Sequence, residues 1–401
     1  MKDFVRLTTI GDKCCGCGAC AAKCPKKCIA MEEDDYGFRR PKIDSNKCIE
    51  CGICDATCPV LNDGRKDGDL HAFWAKAKEA RVLDSSSSGG IFGLLAAETL
   101  NHGGMVVGAA WDSGCRNLRH VCIDSIENLD LIMRSKYVQS IIDPEVFMAV
   151  EEGINEGKPV LFSGTACQVS AIRSFLGKKA KSDLFTSIDV ICHGVPSPKL
   201  WRRWADYIET SEQGSIVDVN FRSKTTGWQF YSVLYSLRSS NDVSRSCIST
   251  PFSSDWYMRA FLQNASLRPS CFSCPSKRAC GSDITLGDYW GIQVVHPEVE
   301  SANGVSAVIV NSEKGQEAIR LILDKVDHGN STFAEIAENN PALVGSVQPY
   351  QSYHEFQEAI MNEEPIVRMT ATYGFRDSLL KRLIKGLTAV AGYALNLIRR
   401  G

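Results

Sequence analysis

Residues 14–25 read CCGCGACAAKCP and residues 48–59 read CIECGICDATCP, and these two runs decide the fold of the N-terminal part of the chain. Apart from Cys15, each run has three cysteines at intervals of three residues, a fourth after four residues, and then a proline. This spacing is typical of a bacterial-type ferredoxin half, in which the fourth cysteine ligates the other 4Fe-4S cluster. The predicted ligands of one cluster are Cys14, Cys17, Cys20 and Cys58, and those of the other are Cys48, Cys51, Cys54 and Cys24.

The segment between the two runs supports the same interpretation. Residues 29–43 predict a short hairpin with its turn at residues 34–37, which would bring the two halves together as a pseudo-repeat. The alternatives are a disulfide scaffold or two zinc sites, but zinc favours paired CxxC motifs over a duplicated spacing closed by Cys-Pro. Cys15 and Cys28 lie outside the ligand pattern, so we expect them to be packing residues.

The composition of the 401 residues limits what the rest of the chain does. A ferredoxin module leaves enough sequence for one large or two medium domains with their own cores. The net charge of −2 gives no electrostatic reason to expect a nucleic-acid partner. The N-terminal residues show no apolar signal region, and the predicted metal ligands among the eighteen cysteines need a reducing environment, so we expect a cytoplasmic location.

Strands that alternate with helices predict an α/β domain after the ferredoxin module. Strands are predicted at 71–76, 105–111, 159–162, 184–191 and 284–290, and helices at 91–100, 169–176, 199–208 and 316–325. Two strands at 217–222 and 229–237 are predicted to be antiparallel, which indicates a mixed sheet, and the polar segment 241–254 is predicted to be a loop. We therefore expect an α+β chain: a dicluster module at 1–62, a mixed-sheet α/β domain at 70–330 and a C-terminal extension at 331–401.

The end of the chain predicts a basic amphipathic helix. Residues 379–400 read LLKRLIKGLTAVAGYALNLIRR, with an apolar stretch and several cations. Such a helix would lie on an anionic membrane surface, which would make the protein peripheral to the inner face of the membrane. The alternative is a terminal helix that docks on its own protein or on a partner.

A second group of cysteines follows the predicted strands of the α/β domain. Cys167 lies in the loop SGTACQ, Cys192 lies in DVICHG, and Cys271 and Cys274 form a CxxC. Because α/β sheets place ligands at strand ends, four thiolates there would hold a third metal centre. The alternative is that the first two are ordinary buried cysteines, and Cys280 competes for one position.

Five motifs look like those of the beta subunit of coenzyme F420-reducing hydrogenases and dehydrogenases. They are SSSSGGIFGLLA, SKYVQS, LFSGTACQVSAI, DVICHGVPSP and the CxxC followed by DITLGDYWG, in order along residues 1–330. The resemblance implies an N-terminal ferredoxin module followed by an α/β domain that binds FAD and a further iron-sulfur cluster. It also implies that Cys167, Cys192, Cys271 and Cys274 ligate that cluster, and it leaves Cys280 outside the motif.

The same resemblance implies a flavin site around SSSSGG and SKYVQS. Serine hydroxyls would cap the helix that follows Gly90, and glycine would let a phosphate approach its free backbone N–H groups, although a plain helix start is the alternative. The predicted flavin-binding residues are Ser87, Ser88, Gly89, Gly90, Lys136, Tyr137, Gln139, Ser140, Thr165 and Gln168.

Two residues are candidates for catalysis. Lys136 would neutralise a phosphate or a reduced isoalloxazine, and His193, next to a proposed ligand, would relay a proton. The alternatives are a solvated lysine and a structural histidine. Arg222, Lys224 and Asp288 are further candidates near an anionic substrate or the flavin.

These expectations predict an enzyme, an oxidoreductase that couples one-electron transfer through 4Fe-4S clusters to hydride chemistry at FAD. Coenzyme F420 is a candidate small-molecule substrate, and ferredoxin or one of the subunits of a dehydrogenase or hydrogenase is the expected redox partner. The alternatives are a ferredoxin-dependent reductase of a dedicated metabolite, for example in a polysaccharide or cofactor pathway, and a non-catalytic electron-transfer adaptor.

Overall fold

The computed structural model describes residues 6–62, 68, 71–239 and 245–375 of the chain. The predicted basic helix at 379–400 lies outside these residues, and its membrane contact stays a prediction. Within the described ranges, no helix combines the length and the apolar character needed to cross a bilayer.

The described residues form thirteen strands and fourteen α-helices. The strands are β1 Ile29–Glu33, β2 Arg39–Ile43, β3 His71–Ala77, β4 Met105–Trp111, β5 Leu118–Ile123, β6 Val160–Thr165, β7 Phe185–Val190, β8 Gly214–Ser223, β9 Ser232–Ser239, β10 Arg245–Pro251, β11 Ile284–Asp288, β12 Ser306–Val310 and β13 Val326–Ser331. The helices are α1 Ala19–Lys23, α2 Ile53–Thr57, α3 Ala80–Asp84, α4 Ile91–Asn101, α5 Leu129–Ile132, α6 Pro144–Asn155, α7 Ala166–Leu176, α8 Pro198–Glu212, α9 Trp256–Leu262, α10 Ile292–Val295, α11 Glu313–Arg320, α12 Phe333–Asn339, α13 Tyr353–Met361 and α14 Ile366–Thr372.

The N-terminal module is built from two equivalent halves. Helices α1 and α2 each start after a glycine in the left-handed region, Gly18 with φ 81° and Gly52 with φ 71°. The predicted hairpin is confirmed, because β1 pairs antiparallel with β2. Its turn is held by Asp34, whose carboxylate accepts the backbone N–H groups of Tyr36 and Phe38. The module therefore has the local pseudo-repeat that the two cysteine runs predict.

An eight-stranded mixed sheet forms the centre of the chain, as the sequence predicts. Its strand order is β13-β3-β12-β11-β7-β6-β4-β5. The four strands β4, β6, β7 and β11 run parallel, and the flanking strands pair antiparallel with them or with one another. Helix α7 connects β6 to β7, so the carboxyl ends of both strands meet at the same edge of the sheet.

The sequence predicts a mixed sheet because two antiparallel strands at 217–222 and 229–237 would belong to it. That reason is wrong, since the corresponding strands β8 and β9 do not join the central sheet. They form a separate three-stranded antiparallel sheet with β10. The prediction of a loop over 241–254 is also wrong, since residues 245–251 pair along β9 with Ile248 opposite Tyr235. The serines that indicated a loop are tolerated because β10 is an edge strand.

Other boundaries differ for local physical reasons. Helix α11 begins before the predicted residue 316, because Ser312 caps it by accepting the backbone N–H of Gly315. Strand β12 was not predicted, since all five of its residues are buried between two neighbouring strands and show no alternation of polar and apolar side chains. A short apolar run of this kind does not distinguish a strand from a helix.

The N-terminal module packs directly on the α/β domain. Ala19 joins the apolar core formed by α6 and α7, and the Lys23 ammonium lies 4.1 Å from the centre of the Phe175 ring. At another point of the module, the Arg202 guanidinium of α8 pairs with the carboxylate of Glu33. These contacts fix the module against the α/β domain at more than one place.

The two helix-start glycines provide a test of this docking. Alanine at Gly18 or Gly52 is expected to cost about 1–2 kcal/mol for the left-handed conformation. A methyl group at Gly18 would also stand 2.9 Å from the carbonyl oxygen of Ile142, whereas Gly52 has no atom within 4 Å of that position. We therefore expect Gly18→Ala to lower the urea midpoint more than Gly52→Ala, measured anaerobically; equal losses would contradict the docked arrangement.

Candidate iron-sulfur and flavin sites

The structure brings the first predicted set of four thiols together. Burial raises the pKa of Cys20 to about 12, and the charges of Cys14 and Cys58 add to that rise. The charges of Cys20 and Cys14 act in the same direction on the pKa of Cys17. The backbone N–H of Gly16 donates to the sulfur of Cys14 at 3.3 Å. The fourth cysteine of the second run thus lies with the first run, which is the arrangement that a dicluster ferredoxin requires.

The second predicted set surrounds a cavity. Its lining contains the four thiols of the second set together with Cys28, namely Cys24, Cys28, Cys48, Cys51 and Cys54. The backbone N–H of Glu50 donates to the sulfur of Cys48 at 3.4 Å, which repeats the contact made by the first set. Cys28 is buried, as predicted for a packing residue, but its sulfur also lies 3.4 Å from that of Cys24.

A third set of thiols meets at the carboxyl ends of β6 and β7. Cys167 follows β6, Cys192 follows β7, and Cys271 and Cys274 approach from the segment after α9. Burial raises the pKa of Cys192 well above its usual value, and the charges of the other three thiols act in the same direction. Burial likewise raises the pKa of Cys271 to about 12. The four predicted positions therefore lie close together in the folded chain.

Backbone groups surround this third set. The N–H of Val195 donates to the sulfur of Cys271 at 3.4 Å, and the Lys277 ammonium donates to the carbonyl of Cys192. A hydrogen bond to sulfur, such as that from Val195, orients a thiolate and tunes a bound cluster, whereas Lys277 fixes the backbone at Cys192. Cys280, the predicted competitor, lies instead in the apolar core that α6 and α7 cover.

Cys15 connects the module to the third set. Its thiol lies within hydrogen-bonding reach of the Cys167 thiol, and this contact, together with burial, raises the pKa of Cys167. The sequence predicted only a packing role for Cys15, since nothing in its spacing indicates a partner 152 residues away in the chain (167 − 15). The contact places the Cys14 loop next to the strand-end thiols.

The thiol sets differ from the binding site of a single metal ion. Over the described ranges, no group of three or more His, Cys, Asp or Glu side chains is arranged to hold one metal ion. Four thiols that surround a cubane of four irons enclose a larger space than four thiols around one zinc ion, whose Zn–S bonds are about 2.3 Å.

The predicted serine caps of α4 are wrong. The N-cap residue is Gly90, with φ 86°, and no side chain caps the helix. The Ser87 hydroxyl instead accepts the backbone N–H of Ser135, and the Ser88 hydroxyl donates to the carbonyl of Val305. These bonds join SSSSGG to SKYVQS and to Val305, the residue before β12, and they leave the positive end of α4 without a side-chain cap.

Lys136 and Tyr137 follow Ser135 in the segment that bonds to SSSSGG. Burial lowers the pKa of Lys136 to about 7, and the nearby charge of Arg134 adds to that effect. Its ammonium donates to the carbonyl of Met133 at 2.7 Å. The Tyr137 ring stacks on Phe261, with 4.9 Å between ring centres. Lys136 is thus half-buried and hydrogen-bonded, which differs from the solvated alternative.

The other predicted flavin contacts form a hydrogen-bonded group of their own. Gln168 caps α7 together with Thr165, and its amide also donates to Ser140. The Ser140 hydroxyl lies 3.1 Å from a ring nitrogen of His120. Gln139 donates to the carbonyl of Cys15 at 2.9 Å. These side chains connect the loop of Cys167 to the module, so their predicted contact with flavin would require a change of partners.

His193 is held in place by its neighbours. Its Nε2 lies 2.6 Å from the side-chain oxygen of Asn264, and its ring meets Phe261 edge-on. Burial lowers the pKa of His193, so the neutral ring predominates at neutral pH. The structure gives His193 a positioning partner, and its predicted proton relay stays a prediction.

Arg222 is the centre of a buried charged and aromatic group. It pairs with Asp288, and its guanidinium lies over the rings of Tyr231 and Trp290 at 4.0 and 5.1 Å. The Trp228 indole N–H also donates to Asp288. The sequence had indicated Arg222 and Asp288, but not the aromatic rings, because their approach depends on how β8 faces β11.

Lys224, the third candidate near an anionic substrate, is already engaged. Its ammonium donates to the backbone carbonyls of Leu83, Ser88 and Asn303. It therefore holds the SSSSGG loop in place, and an anion would have to compete with these three carbonyls.

Comparison with known proteins gives two domain matches. Residues 157–333 match the family described as the C terminus of the coenzyme F420 hydrogenase/dehydrogenase beta subunit. Residues 13–62 match a 4Fe-4S dicluster domain. The chain thus contains an iron-sulfur domain of the dicluster type and a region that resembles the C terminus of the F420 hydrogenase/dehydrogenase beta subunit. The predicted resemblance is confirmed, although SSSSGG and SKYVQS lie outside both matched ranges.

Solved structures also include chains similar to this one. One of them is a chain from the F420-reducing [NiFe] hydrogenase complex of Methanosarcina barkeri, at 14% sequence identity and a TM-score of 0.44. The similarity covers 75% of this chain and 91% of that chain. The curated proteins include no match to it.

The third thiol set is tested by counting iron. Alanine at Cys192 or Cys274 is expected to lower the iron content after anaerobic reconstitution from about 12 to about 8 per chain, because one four-iron cluster would be lost. Cys280→Ala is the matched control, since Cys280 is buried but outside the set, and it should keep about 12 irons. Full iron retention in both ligand variants would contradict this assignment.

Proposed function

We propose that the chain is an iron-sulfur flavoprotein oxidoreductase that couples one-electron transfer through three 4Fe-4S clusters to two-electron chemistry at FAD. The observation that carries the proposal is a hydrogen-bonded link: Gln139 donates to the Cys15 carbonyl at 2.9 Å, and the neighbouring Ser140 accepts from Gln168, the residue after Cys167. This link puts the dicluster module next to the strand-end thiols. Electrons could not pass efficiently between the two parts without such proximity. An oxygen-sensitive chain of clusters fits the expected cytoplasmic location.

The proposed third cluster fits the donor set. The four thiols of this set are half-buried, namely Cys167, Cys192, Cys271 and Cys274. Burial and the charges of other thiols in the set raise the pKa values of Cys192, Cys271 and Cys274, whereas Cys15 and burial raise that of Cys167. Iron binds thiolates, and its positive charge would offset their mutual repulsion. The backbone N–H of Val195 and the Lys277 ammonium supply hydrogen bonds around the set.

The proposed flavin site fits the residues around α4. The Nε of Arg222 is buried without a hydrogen-bond partner, and the N-terminus of α4 has no side-chain cap. Both features favour an anionic group such as a pyrophosphate. FAD would supply the exchange between hydride and single-electron transfer.

The chain's own residues would control the flavin environment. Arg222 and the α4 N-terminus would bind negative charge, and Tyr137 would supply a ring face. Lys136, with its pKa lowered to about 7, is charged below that pH and neutral above it, so it would favour an anionic reduced ring mainly under acidic conditions. The neutral imidazole of His193 would lie next to Cys192 of the third set.

The description of the matched family suggests a substrate. We propose coenzyme F420 as the hydride carrier, since the matched family is described by that coenzyme. The second candidate is a ferredoxin-dependent reductase of a dedicated metabolite, which the fused dicluster domain favours. The third candidate is a non-catalytic electron-transfer adaptor, in which the dicluster module would act without flavin.

One experiment separates these three functions. The chain would be reconstituted anaerobically, its iron and flavin counted, and the flavin absorbance followed after adding reduced F420, NAD(P)H or reduced ferredoxin. Bleaching by reduced F420 supports the first function, and bleaching by ferredoxin alone supports the second. Intact clusters with no bound flavin would contradict both enzyme proposals.

Arg222 provides a direct test of the flavin site. Arg222→Gln is expected to weaken FAD binding at least tenfold, about 1.4 kcal/mol, because it removes the buried charge proposed to bind the pyrophosphate. Arg238→Gln is the matched control, since Arg238 lies exposed on the same small sheet. Fluorescence titration with FAD gives both affinities, and equal affinities would place the flavin elsewhere.

The proposed partner surface surrounds the second thiol set. Cys51 and Ile49 are exposed there, and Ile49 retains 56% of its surface. Lys26, Lys27 and Lys47 are exposed in the same module, each within two residues of a cysteine of this set or its lining. An exposed cluster edge with apolar residues and cations suits a small acidic redox protein.

Charge reversal tests this surface. Lys26→Glu with Lys27→Glu is expected to slow reduction by an acidic ferredoxin roughly tenfold at low ionic strength, with a smaller effect at high salt. Lys158→Glu is the control, since Lys158 is exposed on the α/β domain. Stopped-flow absorbance measures both rates, and an equal effect of the control would exclude a local docking surface.

A further inference from the structure

Arg268 is a buried arginine between the module and the third thiol set. The residue is 0% exposed. Its Nε donates to the carbonyl of Cys14 at 2.7 Å, and one terminal nitrogen donates to the carbonyl of Arg39 at 2.9 Å. The other terminal nitrogen donates to the side-chain oxygen of Gln139 at 3.0 Å. One guanidinium thus joins the Cys14 loop to the domain that carries the third set.

The charge of Arg268 has no carboxylate partner in the hydrogen bonds that it makes to the described residues. Arginine stays protonated in proteins, and an uncompensated buried charge is strongly unfavourable. The three oxygens that accept its hydrogen bonds are neutral. Its charge does act on two cysteines, Cys167 and Cys271, which both belong to the third set.

The close approach leaves no space for a side chain on the neighbouring loop. Gly16, between two predicted ligands, has φ 70°, and a methyl group there would stand 2.7 Å from a terminal nitrogen of Arg268. The Phe38 ring covers another side of the guanidinium, 5.2 Å from its central carbon. The loop that carries Cys14 is therefore shaped around this cation.

We propose that Arg268 is the shared counter-charge of two neighbouring clusters, the one held by Cys14, Cys17, Cys20 and Cys58 and the one held by the third set. This inference rests on the proposed function, because it requires clusters at both positions. Reduction adds one negative charge to a cluster, so a buried cation stabilises the reduced form and raises the reduction potential. Arg268 makes no hydrogen bond to the loop of Cys48, and its charge is not among the main influences on the pKa values of Cys24 and Cys54, so we expect the cluster of that set to be the least affected by this cation.

The same geometry gives the clusters an order. Clusters at these positions would be ordered from the exposed Cys51 edge, through the Cys14 set, to the third set beside Arg268. If the Arg268 charge raises the reduction potentials of both inner clusters, it would favour electron transfer from the outer cluster toward the α/β domain. Arg268 is a positioning residue that acts on cluster electronics and does not touch a substrate.

Anaerobic redox titration followed by electron paramagnetic resonance tests the proposal. Arg268→Gln is expected to lower the reduction potentials of the Cys14 cluster and the third cluster by at least about 59 mV, which is a tenfold change in the equilibrium constant for one electron. The reduction potential of the Cys48 cluster should not change. Signals are assigned with Cys51→Ala and Cys192→Ala, each of which removes one cluster.

Two further variants separate charge from structure. Arg268→Lys keeps the charge and should retain potentials near those of the native protein, and it also serves if Arg268→Gln does not fold. Arg202→Gln is the matched control, because Arg202 also joins the module to the domain but pairs with the carboxylate of Glu33. It should leave all three potentials unchanged.

The outcomes distinguish this inference from the proposed function. An unchanged Cys14 cluster in Arg268→Gln, or an equal shift in Arg268→Lys or Arg202→Gln, would overturn the shared counter-charge. If the third cluster is never formed, the proposed function fails. In that case the Cys14 cluster still tests Arg268, since its potential should fall while that of the Cys48 cluster stays constant.

Discussion

Thiolates held close together in a protein interior repel one another, and the fold of this chain depends on how that repulsion is met. Burial and neighbouring charge raise the pKa values of thiols in the module and at the sheet edge, as for Cys20 and Cys192. Metal binding replaces the protons with iron and turns mutual repulsion into shared coordination. Folding and cluster assembly are therefore linked in the dicluster module, and the proposed third cluster would extend this link to the sheet edge.

The junction between the two parts is polar as well as apolar. Ala19 packs into the core of the α/β domain, but Arg268, Gln139 and the Cys14 carbonyl form a buried hydrogen-bonded connection. Such a connection fixes one relative position, since a small shift would leave a buried charge without partners. Precise docking matters here because electron transfer depends on the separation of the centres.

The α/β domain presents its thiols and its buried charged group at two different places. The ends of β6 and β7 present thiols, whereas β8 and β11 present Arg222 and Asp288 among aromatic rings. The start of α4 follows SSSSGG, which is joined to SKYVQS by the hydrogen bond from Ser135 to Ser87. The serines therefore shape the loop and leave the helix end available for a ligand.

The sequence by itself determined the dicluster module, because ligand spacing, glycines and prolines act over a few residues. It also predicted the positions of β4, β7 and α4, and it indicated Cys167, Cys192, Cys271 and Cys274 at strand ends. Only the tertiary structure decided that β8 and β9 form a separate sheet, that Cys15 meets Cys167, and that Arg268 lies between two thiol sets. These relations join residues that are far apart in the chain. They depend on how the secondary-structure elements pack, and the spacing of residues in the sequence does not indicate that packing.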